Sequence, residues 1–232
     1  MKAIVLMIVS TVVLAGFTLQ EKKKVVFFGD SITEAGVKPG GYITVLNELL
    51  KQKGIDKNYD LQGAGIGGNK IYDLYLRVED DVIAMKPNIV VVWVGVNDVW
   101  HKSMYGTGTD QDKFEKFYNA LIRKLKASNA EVIICTPAAI GEKTDFSNSQ
   151  DGDLNQYAKI IRNIAQNNNC RLVDLRKTFL DYNLTNNKDN KREGVLTTDG
   201  VHLNEKGNAV VADEMLKALT GAPGSILKTS PQ

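Results

Sequence analysis

The stretch Ile89-Val90-Val91-Val92-Trp93-Val94 consists of six consecutive apolar residues, and it determines the class of fold that the sequence predicts. A strand that is buried on both faces of a parallel sheet needs such an unbroken run, whereas a strand with one wet face alternates between apolar and polar residues. Four shorter apolar runs lie on either side of this stretch, beginning near Val25, Tyr59, Val132 and Leu172. The sequence therefore predicts several buried parallel strands.

Segments with helical spacing of apolar residues separate these runs. We predict strands at residues 25–28, 59–62, 89–94, 132–135 and 172–175. We predict helices at residues 42–50, 70–84, 114–125, 154–165 and 204–219, the last with Asn204 as N-cap. Strands that alternate with helices indicate a five-stranded parallel sheet covered on both faces, which is a three-layer α/β/α sandwich.

The length of 232 residues suits one α/β domain. Lys2 is followed by an apolar stretch at residues 3–14 and then by Ala15 and Gly16, a pattern typical of a secretory signal peptide. We therefore assign residues 1–20 to a signal peptide, 21–220 to the domain and 221–232 to a disordered tail. The expected location is secreted or periplasmic, with no stable membrane anchor after cleavage; the alternative is an uncleaved N-terminal anchor.

The charge pattern does not favour a polyanionic partner. The net charge is +2, and the one basic run, Lys22-Lys23-Lys24, is interpreted as a solvated flank, so we expect no nucleic-acid binding. The two histidines and two cysteines form no zinc motif, and neither a metal nor a cofactor is expected. A G-x-G-x-x-G pattern at residues 63–68 leaves a dinucleotide loop as an alternative, although that motif is weak alone.

Four polar blocks follow the predicted strands. They read Gly29-Asp30-Ser31, Gly63-Ala64-Gly65-Ile66-Gly67-Gly68-Asn69, Gly95-Val96-Asn97-Asp98 and Asp199-Gly200-Val201-His202. In open α/β sheets the ligand site lies beyond the carboxyl ends of the strands, so we expect the blocks to converge on one rim. A Ser, an Asp and a His there are the parts of a hydrolytic triad, with Ser31 attacking and His202 taking its proton.

Taken together and in this order, the blocks resemble those of the SGNH hydrolases, also called the GDSL esterase/lipase family, over residues 24–219. The resemblance implies a flavodoxin-like SGNH hydrolase fold and a serine esterase mechanism. It implies catalytic roles for Ser31, Asp199 and His202, and an oxyanion hole made by the Ser31 and Gly68 amides and the Asn97 side chain. Other interpretations of single residues stay open. Ser31 could be a helix N-cap, and Asp30 and Asp98 are expected to hold loops rather than to catalyse.

The segments around residues 67–77 and 95–100 look like the carbohydrate acetylesterase branch, with xylan deacetylases as the nearest comparison. The resemblance implies a small acyl, above all acetyl, ester on a small molecule or oligosaccharide as substrate. Trp100 and His101 are candidate substrate-binding residues, although Trp100 could instead pack under its loop and His101 could lie on the surface. The alternatives are a lysophospholipase or thioesterase of the same fold, or a non-catalytic carbohydrate-binding module. The oligomeric state stays open.

Overall fold

The computed structural model describes residues 21–221. Five strands form one sheet, and they comprise β1 (Lys23–Gly29), β2 (Tyr59–Gly65), β3 (Ile89–Trp93), β4 (Glu131–Cys135) and β5 (Arg171–Val173). All neighbouring pairs are parallel and the order is β2-β1-β3-β4-β5. This is the flavodoxin-like order, in which the chain reverses direction across the sheet between β1 and β3. The predicted fold class is confirmed.

Eight α-helices accompany the sheet in the described part of the chain. They are α1 (Ser31–Gly36), α2 (Tyr42–Gln52), α3 (Ile71–Asp81), α4 (Val96–Tyr105), α5 (Gln111–Ala127), α6 (Asp151–Asn167), α7 (Leu175–Asn186) and α8 (Glu205–Thr220). Short 3₁₀ turns occur at Asp56–Asn58 and Ile83–Met85. Asn204 caps α8 by accepting a hydrogen bond from the Gly207 amide, as predicted. No helix of residues 21–221 is long and apolar enough to cross a membrane.

Adjacent residues of β1 show how the helices cover both faces of the sheet. Phe27 packs edge-on against Tyr42 of α2, with the ring centroids 5.8 Å apart. Phe28 contacts the guanidinium of Arg77 on α3, which lies 4.4 Å from its ring centroid. Because successive strand residues point to opposite faces, α2 and α3 lie on opposite sides of the sheet. The residues of β3 are all buried between these layers, as the apolar run predicted.

The structure differs from the prediction at the end of one strand and in three additional helices. The fifth strand ends at Val173 rather than at Leu175, because Asp174 caps α7 through a hydrogen bond from the Lys177 amide. Helix α7 was not predicted, and it separates β5 from the block that contains His202. Helices α1 and α4 were not predicted either. The predicted signal peptide lies outside the described residues, as does the tail from residue 222, and both stay predictions.

Candidate active site

Ser31 is placed by the sharp transition from β1 into α1. Gly29 ends β1 so close to Thr33 and to the Trp93 carbonyl that an added Cβ would collide with both. Asp30 is the N-cap of α1, and its Oδ1 accepts a hydrogen bond of 3.0 Å from the Ile32 amide. Ser31 is therefore the first residue of the helix, and Asp30, not Ser31, supplies the cap. The Oγ atom of Ser31 lies 3.0 Å from Nε2 of His202.

The other ring nitrogen of His202 faces Asp199. His202 Nδ1 lies 2.7 Å from Asp199 Oδ2, and Asp199 Oδ1 accepts the amides of Val201 and His202 at 2.9 and 2.8 Å. Burial by itself would raise the pKa of Asp199, but these hydrogen bonds outweigh it and hold the pKa below its usual range. Asp199 is therefore a carboxylate at neutral pH, and it orients the imidazole.

The block around His202 is on a loop between α7 and α8. Within the loop, the His202 carbonyl accepts the Thr198 amide at 2.8 Å, and Thr197 Oγ1 accepts the Gly200 amide at 3.0 Å. Gly200 has a φ of 91°, which favours glycine, and its carbonyl accepts the Gly141 amide at 2.8 Å. The loop thus takes its position from the segment that follows β4. The blocks do converge on one rim, but this one does not directly follow a strand.

Gly68 and Asn97 lie on the same rim beside Ser31. The turn that contains Gly68 passes so near that a Cβ added to Gly67 would lie 3.9 Å from the Ser31 Cβ. Within residues 21–221, no group accepts a hydrogen bond from the Gly68 amide. Asn97 is in the first turn of α4, and its Nδ2 donates to the Asn69 carbonyl at 3.1 Å. The structure thus brings a free backbone N–H and a fixed side-chain amide to this edge.

Asp30 and Asp98 have structural contacts, in agreement with their interpretation from the sequence. Asp98 Oδ1 accepts the Ile71 amide at 3.2 Å and so ties the start of α3 to α4. Burial raises the pKa of Asp98 to about 7 against the opposing effect of the Ile71 amide. Burial likewise raises the pKa of Asp30 to about 7, opposed by the Ile32 amide and by His202. Neither carboxyl contacts Ser31 Oγ or the His202 ring by a hydrogen bond in the described chain.

Trp100 and His101 form an aromatic wall with Tyr105 next to His202. The ring centroid of Trp100 lies 6.1 Å from that of His202, and His101 lies 5.1 Å from Tyr105. His101 also reaches the turn, because its Cε1 would lie 3.8 Å from a Cβ on Gly68. Burial lowers the pKa of His101, and the Lys70 ammonium lowers it further, which favours a neutral ring.

Two residues at the site were missed from the sequence. Glu34 accepts the Gly67 amide at 2.6 Å through Oε2, and it lies one helical turn after Ser31. Arg77 belongs to a segment that carried the resemblance, but it was given no role. Its guanidinium bonds the Gly29 and Ala64 carbonyls, each at 2.9 Å, and Asn69 Oδ1 at 2.7 Å. No motif signalled either contact.

The described chain offers no evident cofactor or metal cradle. Residues 21–221 contain no group of three His, Cys, Asp or Glu side chains placed to hold a metal. The dinucleotide interpretation does not fit the geometry, because Gly63 and Gly65 lie within β2 rather than in a loop that opens a helix. Gly65 is required for another reason: a Cβ there would collide with the Glu34 amide of α1.

Comparisons with known proteins point in one direction. The model of the GDSL-like Lipase/Acylhydrolase family matches residues 27–210. The chain is 65% identical in sequence to an acetyl xylan esterase of known crystal structure, AlAXEase. The two structures align with a TM-score of 0.83 over 84% of this chain and 99% of AlAXEase. An acetylxylan esterase of Geobacillus stearothermophilus is 28% identical, over 85% of this chain and 94% of its own length.

A solved catalytic mutant of Axe2, an acetylxylan esterase from the same organism, carries alanine in place of an aspartate. Its sequence is 26% identical to that of this chain, and the two structures align with a TM-score of 0.74 over 85% of this chain and 94% of the Axe2 chain. Two other solved catalytic mutants of Axe2 carry alanine in place of a serine and of a histidine.

Proposed function

Because this chain belongs to the GDSL-like lipase/acylhydrolase family and is a carboxylic ester hydrolase, we propose that it removes acetyl groups from carbohydrate hydroxyls, with Ser31 as the nucleophile. One observation carries the proposal: Ser31, His202 and Asp199 form a continuous chain of contacts of 3.0 and 2.7 Å. A serine hydroxyl becomes an effective nucleophile when a base lies within hydrogen-bonding distance and a third group orients that base.

The proposed reaction follows from the orientation of the imidazole. Asp199 accepts a hydrogen bond from the Nδ1–H group, which leaves the Nε2 lone pair facing Ser31 Oγ. His202 takes the hydroxyl proton as Oγ attacks the acetyl carbonyl, and then returns a proton to the departing sugar oxygen. Water activated by the same nitrogen hydrolyses the acetyl-enzyme, releasing acetate and restoring Ser31.

The tetrahedral intermediate carries a negative charge, which needs fixed donors. We assign these to the amides of Ser31 and Gly68 and to Asn97 Nδ2. Asn97 is only 2% exposed, so its amide is held where water competes little for hydrogen bonds. The Gly68 amide has no acceptor within the described chain, so it is free to bind an oxyanion.

Relatives support both the triad and the substrate class. In the catalytic mutants of Axe2, the substituted aspartate precedes the substituted histidine by three positions, as Asp199 precedes His202. AlAXEase and Axe2 are acetylxylan esterases. The wall of Trp100, His101 and Tyr105 next to His202 offers ring faces and edges for a sugar, and we assign Trp100 and His101 to substrate binding.

A series of p-nitrophenyl esters, from acetate to decanoate, tests the acyl preference. We expect kcat/KM to be flat or to fall beyond two to four carbons. An acyl groove would add about 0.8 kcal/mol per buried CH₂, so a steady rise to eight or more carbons would contradict the proposal and favour a lysophospholipase or thioesterase.

Acetate release from acetylated xylo-oligosaccharides tests the carbohydrate substrate, with the Ser31→Ala variant as the blank. We expect release by the wild type and none by the variant. A wild-type protein that binds the oligosaccharide, but neither releases acetate nor reacts with a serine-directed phosphonate, would identify a non-catalytic binding module instead.

A further inference from the structure

The Gly68 amide lies at the third position of a tight turn formed by residues 66–69. The Asn69 amide donates to the Ile66 carbonyl at 3.3 Å, and Gly68 has a φ of 76° while Gly67 does not have a positive φ. That combination is the type II turn, in which glycine is preferred at this position. Its central peptide, between Gly67 and Gly68, carries the N–H assigned to the oxyanion hole.

The central peptide of such a turn has an alternative orientation. A type I turn differs from type II mainly by a rotation of that peptide, through about 150° in ψ of the second residue and a comparable change in φ of the third. The same four residues could therefore present the Gly68 N–H in the opposite direction. Glycine at both central positions removes the steric barrier that a Cβ would impose. Contacts outside the turn have to select the orientation.

Glu34 holds the first end of the turn. Its Oε2 accepts the Gly67 amide at 2.6 Å, so the peptide directly before the central one is fixed to α1. A hydrogen bond to an ionised carboxylate is stronger than one between neutral groups. Since Glu34 is on the same short helix as Ser31, this contact also sets the distance from the turn to the nucleophile.

Arg77 holds the other end of the turn. Its side chain is only 15% exposed, and its Nε donates to Asn69 Oδ1 at 2.7 Å. The same guanidinium bonds the carbonyls of Gly29 and Ala64 and thereby anchors itself to the ends of β1 and β2. The Asn69 carbonyl in turn accepts the Asn97 amide. One side chain thus connects the nucleophile strand, the turn and the second oxyanion donor.

We propose that Glu34 and Arg77 are positioning residues that clamp the two ends of the turn and select the orientation in which the Gly68 N–H points to the oxyanion. The inference rests on the proposed function, since it concerns the donor that the reaction uses. Within the described chain, neither side chain is hydrogen-bonded to Ser31, His202 or Asp199. Both act through the turn, so their removal should lower transition-state stabilisation more than substrate binding.

Glu34 gives the sharper test because its side chain is exposed and its loss leaves no cavity. Glu34→Ala should lower kcat by about 10- to 100-fold, less than the 10²- to 10³-fold cost of losing a donor outright, with KM within about 2-fold. Glu34→Gln keeps an oxygen that accepts the Gly67 amide and should restore kcat to within about 3-fold of wild type. Glu48→Ala, which removes an exposed glutamate of α2, is the matched control and should leave both constants unchanged.

Arg77 is tested with Arg77→Lys, which keeps the charge but loses the planar set of donors. We expect the same fall in kcat with KM preserved, and weaker binding of a boronic acid whose tetrahedral adduct places an oxygen among the oxyanion donors. Arg162→Lys, which disturbs a comparable arginine bonded to Asp174, controls for stability and should preserve kcat. If Arg77→Lys fails to fold, Asn69→Ala removes the side-chain amide whose oxygen Arg77 holds and leaves the arginine in place.

The outcomes separate the clamp from the proposed function. If wild type hydrolyses acetyl esters and Ser31→Ala does not, but Glu34→Ala and the Arg77 or Asn69 variant keep wild-type kcat, the clamp is wrong and the esterase assignment stands. If Glu34→Gln is as impaired as Glu34→Ala, selection of the turn by this hydrogen bond is also refuted. Inactive wild type would overturn the proposed function itself.

Discussion

The two halves of the candidate site are held in different ways. Ser31, Gly68 and Asn97 follow the carboxyl ends of β1, β2 and β3, where the sheet reverses its order. Asp199 and His202 belong instead to a loop between two helices, with 47% and 38% of their side chains exposed. The strand-borne half takes its geometry from the sheet, whereas the loop-borne half takes it from hydrogen bonds within the loop and from contacts with Gly141 and Glu142.

The difference matches the two tasks proposed for the halves. Donors that stabilise a developing charge must be fixed beforehand and screened from water, and the buried Asn97 side chain at the end of the central strand β3 meets both requirements. A base that exchanges protons with the nucleophile, the leaving oxygen and water needs access to all three, which the exposed loop provides. The strand-borne half therefore holds its donors in place, whereas the loop-borne half leaves His202 accessible to substrate and water.

The largest effect on kcat is expected from Ser31 and His202, whose contact joins the two halves. Ser31→Ala and His202→Ala should each lower kcat by roughly 10⁴- to 10⁶-fold, and the double variant should be no worse than either, because the two residues act as one unit. Kinetics of acetyl ester hydrolysis by the three folded variants measure this. Ser128→Ala, at the end of α5, is the control. Additive losses would show that the two residues act independently.

Asn97→Ala tests the strand-borne half alone. Loss of one oxyanion donor should lower kcat by about 10²- to 10³-fold with a much smaller change in KM, because the amide binds the transition state more strongly than the ester. Steady-state constants on a soluble acetyl ester distinguish the two effects. A rise confined to KM would make Asn97 an ordinary substrate-binding group.

Gly200→Ala tests the loop-borne half. The positive φ strains any Cβ, and here the Cβ would also lie 3.2 Å from the Gly141 amide nitrogen. We expect a loss of about 3 kcal/mol of unfolding free energy together with a fall in kcat as Asp199 and His202 shift. Gly40→Ala has a similar φ of 77° but open space around it, and should cost about 1 kcal/mol without affecting kcat. Equal effects of the two substitutions on denaturant unfolding would contradict a role for the Gly141 contact.

The smallest effect on activity is expected from the buried carboxyls Asp98 and Asp30, which instead make the unfolding free energy depend on pH. Because burial raises the pKa of Asp98 to about 7, the folded state retains a proton that the unfolded chain loses near pH 4. The stability from this group is complete below pH 4 and is lost as pH rises through 7. Asp30 behaves alike, so Asp98→Asn should remove roughly half of the combined loss of unfolding free energy between about pH 4.5 and 8.

Denaturant unfolding at several pH values measures this loss. Asp112→Asn, at an exposed position of α5, should leave the change of unfolding free energy with pH the same as in wild type. If the unfolding free energy of Asp98→Asn changed with pH as much as that of wild type, Asp98 would not titrate in this range.

Much of the fold could be predicted because the buried strands are uniformly apolar, as residues 89–94 illustrate. Helices α4 and α7 could not, since their buried faces contain Asn97 and Asp98 in one and Arg176 and Asn183 in the other, which breaks the apolar period. Triad candidates were identifiable from short motifs. Glu34 and Arg77 were not, because their partners are backbone groups whose proximity only the fold creates.

The histidine content of the chain gives the site a spectroscopic signature of its own. The sequence contains two histidines, and both lie at this rim: His202 edge-on to Trp100, and His101 beside Tyr105. Aromatic neighbours shift imidazole resonances through ring currents, so the two signals should be dispersed in a simple proton spectrum. Every imidazole signal of this protein therefore reports on the candidate site, without selective labelling and without background from the rest of the molecule.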